Sequence, residues 1–340
     1  MREPYMVKWA KDNPREWDCT SYGKAAEDAA WDVLLSHEMD DPEIENEDSE
    51  ATITAILDLV KAFERVSLYV LWEAGKQLNF NTGVLAVVCS YFAMARRLVV
   101  GDSISSSTST VGTIIAGSKF SVCFLKLVIQ STVDGLVVER PNAKWRMYVD
   151  DLCVRLRQQQ LHIVQEFSDT IDACFEGFDK LGLKFSVGSK GKGAVMCSTK
   201  WARKAIAKEM DERGLPVVRA CPYLEVDLIA NGTTAKAKSG KRHKVMIDRS
   251  RRLANLKGGG RKMAKGIAMV YKCGLKRSVL YGCKCLGMPD HQLLRLRREA
   301  GRALPGGRGA KSLTLQLAIA GEDPTYEATE APIIRWAREV

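Results

Sequence analysis

The sequence predicts an α+β fold in which strand, helix, strand, strand, helix and strand follow one another and lead into a basic, mostly helical region. Three observations point to it. Short runs rich in β-branched residues, such as ATITAILDLV (Ala51 to Val60), are separated by segments whose apolar residues recur at helical spacing. KWRMYVDDLCVRLR reads as two short strands meeting at Asp150-Asp151, because Trp145, Met147 and Val149 alternate with Arg146 and Tyr148. Charge is unevenly placed: the net charge is +10, but 15 Lys/Arg stand against one acid, Asp248, between Asn231 and Leu280.

Taken in order, Tyr22 to Glu38 is helical in composition and runs into DDPEIENEDSE, an acidic loop. From Trp31 to Glu50 there are nine Asp/Glu and no Lys/Arg, the pattern of a solvated segment. Ala51 to Val60 is short enough for a buried strand. Val66, Val70, Leu71, Ala74 and Leu78 then form an apolar stripe at helical spacing, and Val84 to Arg96 reads as a second inserted helix. GDSISSSTSTVG is a loop or weak hairpin. Lys119 to Val133 places Phe120, Phe124, Leu127 and Val128 on one face of a buried helix. After the Asp-Asp hairpin, Leu161, Val164, Ile171, Phe175, Phe178 and Leu181 mark an amphipathic helix ending near Gly182. LKFSV (Leu183 to Val187) is read as the closing strand. With the two inserted helices set aside, the succession is the ferredoxin-like β-α-β-β-α-β unit. Beyond it come a further strand (GAVMCS), a helix (KWARKAIAKEMDE), a strand pair around PYLEVDLIANG, and helices after the break at Gly258-Gly259-Gly260.

Composition excludes several classes. The chain has 340 residues, 46% hydrophobic and 27% charged, near globular averages and unlike disordered or collagen-like chains. The apolar run from Val84 to Ala95 falls short of the roughly 20 residues that span a bilayer, so no membrane association is expected. The first residues hold no secretory signal, and ten scattered cysteines suggest free thiols in a reducing, intracellular compartment. The basic segment is suited to polyanions.

The chemistry-bearing residues are acids. Asp58 ends the first strand, and Asp150 and Asp151 occupy the hairpin turn. In a ferredoxin-like unit the first and third strands are neighbours, so these acids can gather at one sheet edge. Carboxylates brought together repel, and bound Mg²⁺, which takes hard oxygen ligands, relieves them. Two such ions can activate a hydroxyl and stabilise a leaving oxygen in phosphoryl transfer. Singly, a double Asp at a strand turn is common turn chemistry; the conjunction, in this order and topology, carries the argument.

On these residues the chain resembles the reverse transcriptases, and among them those of non-LTR, LINE-type retrotransposons. Leu57-Asp58-Leu59-Val60-Lys61-Ala62-Phe63 is similar to their first palm motif, and Tyr148-Val149-Asp150-Asp151 to the Tyr-x-Asp-Asp box. The resemblance implies a right-hand polymerase: residues 1–50 a remnant of fingers with an acidic loop, 51–230 the palm, 231–340 a basic thumb and C-terminal extension. It implies that Asp58, Asp150 and Asp151, with the Leu59 carbonyl, ligate two Mg²⁺ ions, Mn²⁺ being the alternative. Phe63 matches the steric gate that selects dNTPs; without its neighbours it would read as a core Phe. Ile115-Ala116-Gly117-Ser118 resembles the second motif, where Gly lets the backbone approach the nucleotide; Ala116 stands where Gln is customary. Tyr148 is taken with Phe63, Gly117 and Ser118 as nucleotide-binding.

The segment from Leu181 to Lys190 is similar to the fourth motif, whose Lys protonates the leaving pyrophosphate; Lys190 is the first choice and Lys192 its competitor. Tyr223-Leu224-Glu225 resembles the primer-grip box Tyr-Leu-Gly, with Glu225 in place of Gly expected to distort the hairpin or set a negative charge near a nucleic-acid backbone. Lys241, Arg242, Lys244, Arg251 and Arg252 are the basic residues expected to join Tyr223 and Leu224 on nucleic acid. The implied partners are an RNA template, a DNA primer and dNTP. KRHK (Lys241 to Lys244) and the family's mode of integration suggest residence in nucleus or cytoplasm. Cys273, Cys283, Cys285 and His291 have no usual zinc spacing, and the cysteines are read as buried thiols.

The Arg/Lys pair that clamps the nucleotide in the family's fingers is unmatched in the 57 residues before Asp58, as are endonuclease and RNase H motifs, so the chain is expected to be shortened at its front. Two other readings stay open: a catalytically inactive relative that binds nucleic acid, and a ferredoxin-like interaction domain with incidental acids.

Overall fold

The computed structural model describes residues 2–20, 25–38, 50–109, 112–229, 237–256, 260–304 and 312–339. The acidic run 39–49 and the 230/231 boundary expected between palm and thumb lie outside them, as do Gly258 and Gly259. The chain divides into two compact units, one of Met1–Ala29 with Met39–Arg219 and the other of Ala30–Glu38 with Ala220–Val340. The architecture is mixed α+β.

The N-terminal residues supply α1 (Arg2–Asp12) and α2 (Ala26–Glu38). In the first unit there follow β1 (Glu50–Asp58), the single turn α3 (Ala62–Arg65), α4 (Leu68–Gln77), α5 (Thr82–Ala93), a small hairpin of β2 (Val99–Val100) and β3 (Ser103–Ile104), and α6 (Ser121–Glu139). Then come β4 (Ala143–Tyr148), β5 (Asp151–Gln159), α7 (Gln160–Lys180), β6 (Ala194–Cys197), α8 (Lys200–Glu212) and β7 (Val217–Val218). The sheet order is β4-β5-β1-β6-β7. β1 is therefore flanked on both sides, antiparallel to β5 and to β6. Its run of Thr and Ile suits that place, since β-branched side chains pack well on a pleated, covered surface.

Side-chain alternation sorts the sheet's two faces. Ile53, Ala55, Leu57 and Leu59 join Leu152, Val154 and Leu156 of β5 and Trp145 and Met147 of β4 in one hydrophobic core with residues of α6 and α7. Thr52, Thr54 and Ile56 are buried on the opposite face, and Asp58 follows them in phase. Helix termini obey local chemistry: the side chains of Ser67, Asn81 and Thr199 accept hydrogen bonds from backbone N–H groups in the first turns of α4, α5 and α8.

Two expectations are corrected. The fourth strand of the unit is Ala194–Cys197, not Leu183–Val187. The latter segment makes only one bridge, Phe185 with Leu59, past the end of β1. It then closes on itself, the Ser186 carbonyl accepting from Lys192 and Gly193 N–H, and the next segment takes the place along β1. The basic region, expected to be helical after the Gly258-Gly259-Gly260 break, is already helical over Ala237–Asn255. Besides the Val84 to Ala95 run, α6 is strongly apolar. Its 19 residues are long and apolar enough to cross a membrane by length and composition, yet Phe124, Leu125, Leu127, Val128, Ile129 and Val133 are core residues.

The second unit begins with the ribbon of β8 (Ala220–Tyr223) and β9 (Val226–Ile229). Helices α9 (Ala237–Asn255) and α10 (Gly260–Val270), a π-helical segment Tyr271–Lys276, α11 (Arg277–Leu280), α12 (Cys283–Leu286), α13 (Asp290–Ala303), α14 (Leu313–Ala320) and α15 (Pro324–Glu339) follow. Its core gathers Met246, Leu253, Ile267, Tyr271, Leu275, Leu296 and Leu317 among others. None of the ten cysteines forms a disulfide; Cys283 and Cys285 are buried, whereas Cys273, expected to be buried, is exposed.

Candidate active site

Register builds the site. Asp58 is the partner of Asp151 across β1 and β5, and Asp151 is the partner of Tyr148 across β5 and β4. Partners in antiparallel strands project from the same face with Cβ atoms about 5 Å apart. A row Tyr148, Asp151, Asp58 thus crosses three strands on the face opposite the hydrophobic core. Asp150 occupies the turn beside it, and its carbonyl accepts the Leu59 N–H at 3.0 Å. Acids 92 residues apart in the chain, Asp58 and Asp150, are neighbours at one sheet edge.

The turn itself is strained. Val149 has φ 59° while Asp150 is not left-handed, the pattern of a type II′ turn, whose first position ordinarily holds Gly. For a β-branched residue this conformation is an outlier costing on the order of 1–3 kcal/mol. It persists because the surroundings hold both sides of it. The Met147 N–H donates to the Trp17 carbonyl at 2.7 Å and the Cys19 N–H to the Met147 carbonyl at 2.8 Å. This N-terminal segment is fixed by a buried ion pair: Lys126 of α6 meets the Asp18 carboxylate and donates to the Asn13 carbonyl at 3.0 Å, with Lys126 and Asp18 side chains only 8% and 4% exposed. Sequence reasoning missed Asp18 and Lys126. A Lys within an apolar helix was the available signal, but its partner lies 108 residues away.

Two like charges facing each other across strands are unfavourable, and the structure answers with Lys192. Its Nζ lies 3.0 Å from Asp58 Oδ1. Ser186 sets this approach: its N–H donates to the Asp58 carbonyl at 2.7 Å, and its own carbonyl accepts from Lys192 N–H at 3.0 Å. The Lys192 ammonium is held more basic than usual, first by the hydrogen bond to Asp58 and further by the charges of Asp151 and Asp150. Burial pushes the Asp150 carboxyl up, and Asp58 adds to the rise, against a backbone hydrogen bond and Lys192, which lower it. The choice of Lys190 is corrected by this geometry: Lys190 is exposed on the preceding turn, and Lys192 is the lysine at the aspartates.

Three carboxylates at one edge are the hard oxygen donors that Mg²⁺ or Mn²⁺ prefers, so donor chemistry fits the implied ions. As arranged, however, no three acidic, imidazole or thiol groups among the described residues form a metal-holding set. Asp58 is engaged by Lys192 and would have to exchange ammonium for metal.

The other expected nucleotide contacts sit on the connections that leave β1 and enter α6. Phe63 lies in α3, half-buried against the first unit's core. Gly117 stands third in a turn closed by the Ser118 N–H on the Ile115 carbonyl at 3.2 Å. Its φ of 81° suits a type II turn, and a Cβ there would meet nothing within 4 Å, so backbone conformation and not crowding calls for Gly. Open space beside this turn leaves its backbone approachable.

In the second unit, Lys241, Lys244, Arg251 and Arg252 are exposed along one side of α9, at three-, seven- and eleven-residue intervals, with Asp248 among them. Two further expected contacts differ. Tyr223 is wholly buried and offers no surface to a ligand. Arg242 is half-buried, its Nη1 donating to the Glu225 carbonyl at 2.8 Å. Glu225 does not break the hairpin's register, since Tyr223 and Val226 stay paired across a two-residue turn, but it lies in that turn at a positive φ of 63°.

No protein-family model and no curated protein matches the chain. Among solved structures, the telomerase of Candida albicans in complex with a TWJ fragment of telomeric RNA is similar at 10% identity and a TM-score of 0.48, over 97% of this chain and 52% of that one. The telomerase of Candida tropicalis with the same kind of RNA fragment gives 9% identity and a TM-score of 0.44 over 94% of this chain and 56% of that one. An apo form from Candida tropicalis, truncated from its C-terminal domain, gives 10% and 0.43 over 67% and 44%. The chain thus spans about half the length of these proteins. Likeness at this level describes chain trace and says nothing of what side chains do.

Proposed function

We propose that this chain is an RNA-directed DNA polymerase domain of a LINE-type retroelement, with β1 and the β4–β5 hairpin as the core of its palm. The observation that carries this reading is the row Tyr148, Asp151, Asp58 with Asp150 at its turn. Asp58, Asp150 and Asp151, with the Leu59 carbonyl, would hold the two divalent ions. When bound, these ions activate a primer 3′-hydroxyl and stabilise the departing pyrophosphate oxygen. Lys192 stands beside Asp58 as a cation able to donate a proton to a leaving phosphate oxygen, in the role assigned from the sequence to Lys190. Phe63 would exclude a ribose 2′-hydroxyl, and the Gly117 turn would receive the incoming dNTP. Lys241, Lys244, Arg251 and Arg252 supply positive charge for phosphates of an RNA template and DNA primer. Extension of a DNA primer on an RNA template with Mg²⁺ or Mn²⁺ tests this. Activity in the wild type that is lost in Asp150→Ala supports it, and equal signal from both proteins refutes catalysis at this site.

One observation favours a second reading, a nucleic-acid-binding relative without catalysis: Asp58 is already neutralised by Lys192. Filter binding that weakens steeply with salt, unaccompanied by metal-dependent synthesis, would select it.

A further inference from the structure

The β8–β9 turn carries two consecutive residues in a conformation neither favours. Leu224 has φ 48° and Glu225 φ 63°, the type I′ pattern that ordinarily calls for Asn-Gly. An isolated two-stranded ribbon has no sheet to impose such a turn. Side chains from far along the sequence converge on it instead. Tyr281 Oη donates to the Leu224 carbonyl at 2.8 Å, and Arg242 Nη1 donates to the Glu225 carbonyl at 2.8 Å. The Arg242 guanidinium also lies over the Tyr281 ring, 5.4 Å from its centroid, so the two donors brace each other. Lys238 holds the Glu225 carboxylate at 2.6 Å, and the Asp227 carboxylate accepts the N–H groups of Lys238 and Ser239 at the start of α9. Gly282, next to Tyr281, has φ 85°, and a Cβ there would stand 3.6 Å from Arg242 Nη2 and 3.5 Å from Val226 Cγ2.

We propose that Tyr281 and Arg242 are positioning residues that lock the Leu224–Glu225 turn in its left-handed form, and that Arg242 serves nucleic-acid binding through this turn and not through a phosphate contact of its own. Both carbonyls of the turn are taken by these donors, and the guanidinium is committed on one edge to Glu225 and on its face to Tyr281. The functional half of the proposal rests on the reading of this hairpin as a primer-holding element; the structural half does not.

The test uses the full chain with two readouts: amide hydrogen exchange across residues 220–229, and binding of a fluorescent RNA-template/DNA-primer hybrid over a salt series. Tyr281→Phe, which keeps the ring, and Arg242→Gln should each speed exchange in the ribbon by about fivefold or more and weaken hybrid binding without changing its salt slope. Adding Leu224→Asn with Glu225→Gly, the pair a type I′ turn favours, should restore both. Lys244→Ala, by contrast, should lower the slope by about 1 and leave exchange unchanged. Unchanged exchange in Arg242→Gln, a slope lowered by about 1, or failure of the Asn-Gly turn to rescue overturns the proposal. Exchange that responds and is rescued, in a wild type that binds no hybrid even at low salt, leaves the lock standing and overturns the primer-holding reading.

Discussion

Two hairpins of this chain place residues other than glycine in left-handed turns, and they are held in different ways. At β4–β5 the strained Val149 sits in a five-stranded sheet, where main-chain pairing to β1 and to the Trp17–Cys19 segment fixes both sides of the turn. At β8–β9 Leu224 and Glu225 sit on a two-stranded ribbon, where main-chain support ends at the partner strand and Tyr281 and Arg242 take its place. A strained turn requires over-determination. A central sheet supplies it through backbone register, and an isolated ribbon draws on side chains. The first solution meets the turn through main-chain bonds, with side chains acting only one step away at the Asp18–Lys126 pair; the second depends on two side chains that touch the turn itself.

The strongest challenge to this contrast is Lys126→Met, which leaves the Asp18 carboxylate buried without its partner beneath the sheet hairpin. Loss of about 3–5 kcal/mol is expected in denaturant unfolding, with much of it regained on adding Asp18→Leu. A loss under about 1 kcal/mol would mean that the N-terminal segment does not hold the β4 end. Next in size, Val149→Gly should raise the unfolding free energy by about 1 kcal/mol, relief of backbone strain exceeding the added chain entropy and the partial packing lost against the core.

Asp150→Asn sharpens the electrostatic side. A carboxyl whose folded pKa is raised makes ionisation unfavourable to the fold, so the wild type loses stability as pH climbs through the raised value. The amide variant should therefore be more stable at pH 7, by less than about 1 kcal/mol after screening. That advantage should fade below the ordinary carboxylate pKa of 3.8, where both are neutral. Smallest is Lys192→Ala, expected to cost about 0.2–1 kcal/mol because the lysine is mostly exposed, while Lys190→Ala changes nothing. Since the Lys192 pKa is raised by its acidic neighbours, its contribution should be present at neutral pH and vanish as pH rises beyond the usual lysine value of 10.5.

Much of the sheet hairpin was legible in the residues. Alternation in KWRMY and LCVRL places β4 and β5, because a half-covered antiparallel pair leaves a period-two trace; the turn was read one residue late, since Val149 and Asp150 make it and Asp151 is already paired with Tyr148 in β5. Gly117 was singled out only by the resemblance to a family motif; that its place is a left-handed turn came from the structure. The closing strand was not legible: LKFSV and GAVMCS are both plausible β segments, and only competition for the edge of β1 chooses between them. The choice between Lys190 and Lys192 follows from that same closed loop at Ser186, which no periodicity announces. Arg242 was misjudged for a related reason, because charge alone does not tell a solvated basic face from a guanidinium bound to a carbonyl.

The sequence by itself determined the order of β1, the β4–β5 hairpin and the helices between them, the acids at the end of β1 and beside the hairpin turn, and the concentration of basic charge in the segment that holds α9. Those depend on local alternation, turn propensity and charge, all readable over a few neighbouring residues. Tertiary structure alone decided the pairing of Asp58 with Asp151, the lysine that meets them, the Asp18–Lys126 support and the Tyr281–Arg242 lock. Each joins groups far apart in the chain, and such partners are selected by strand register and by the cost of leaving buried charges and carbonyls unmatched, quantities that exist only once the chain has closed on itself.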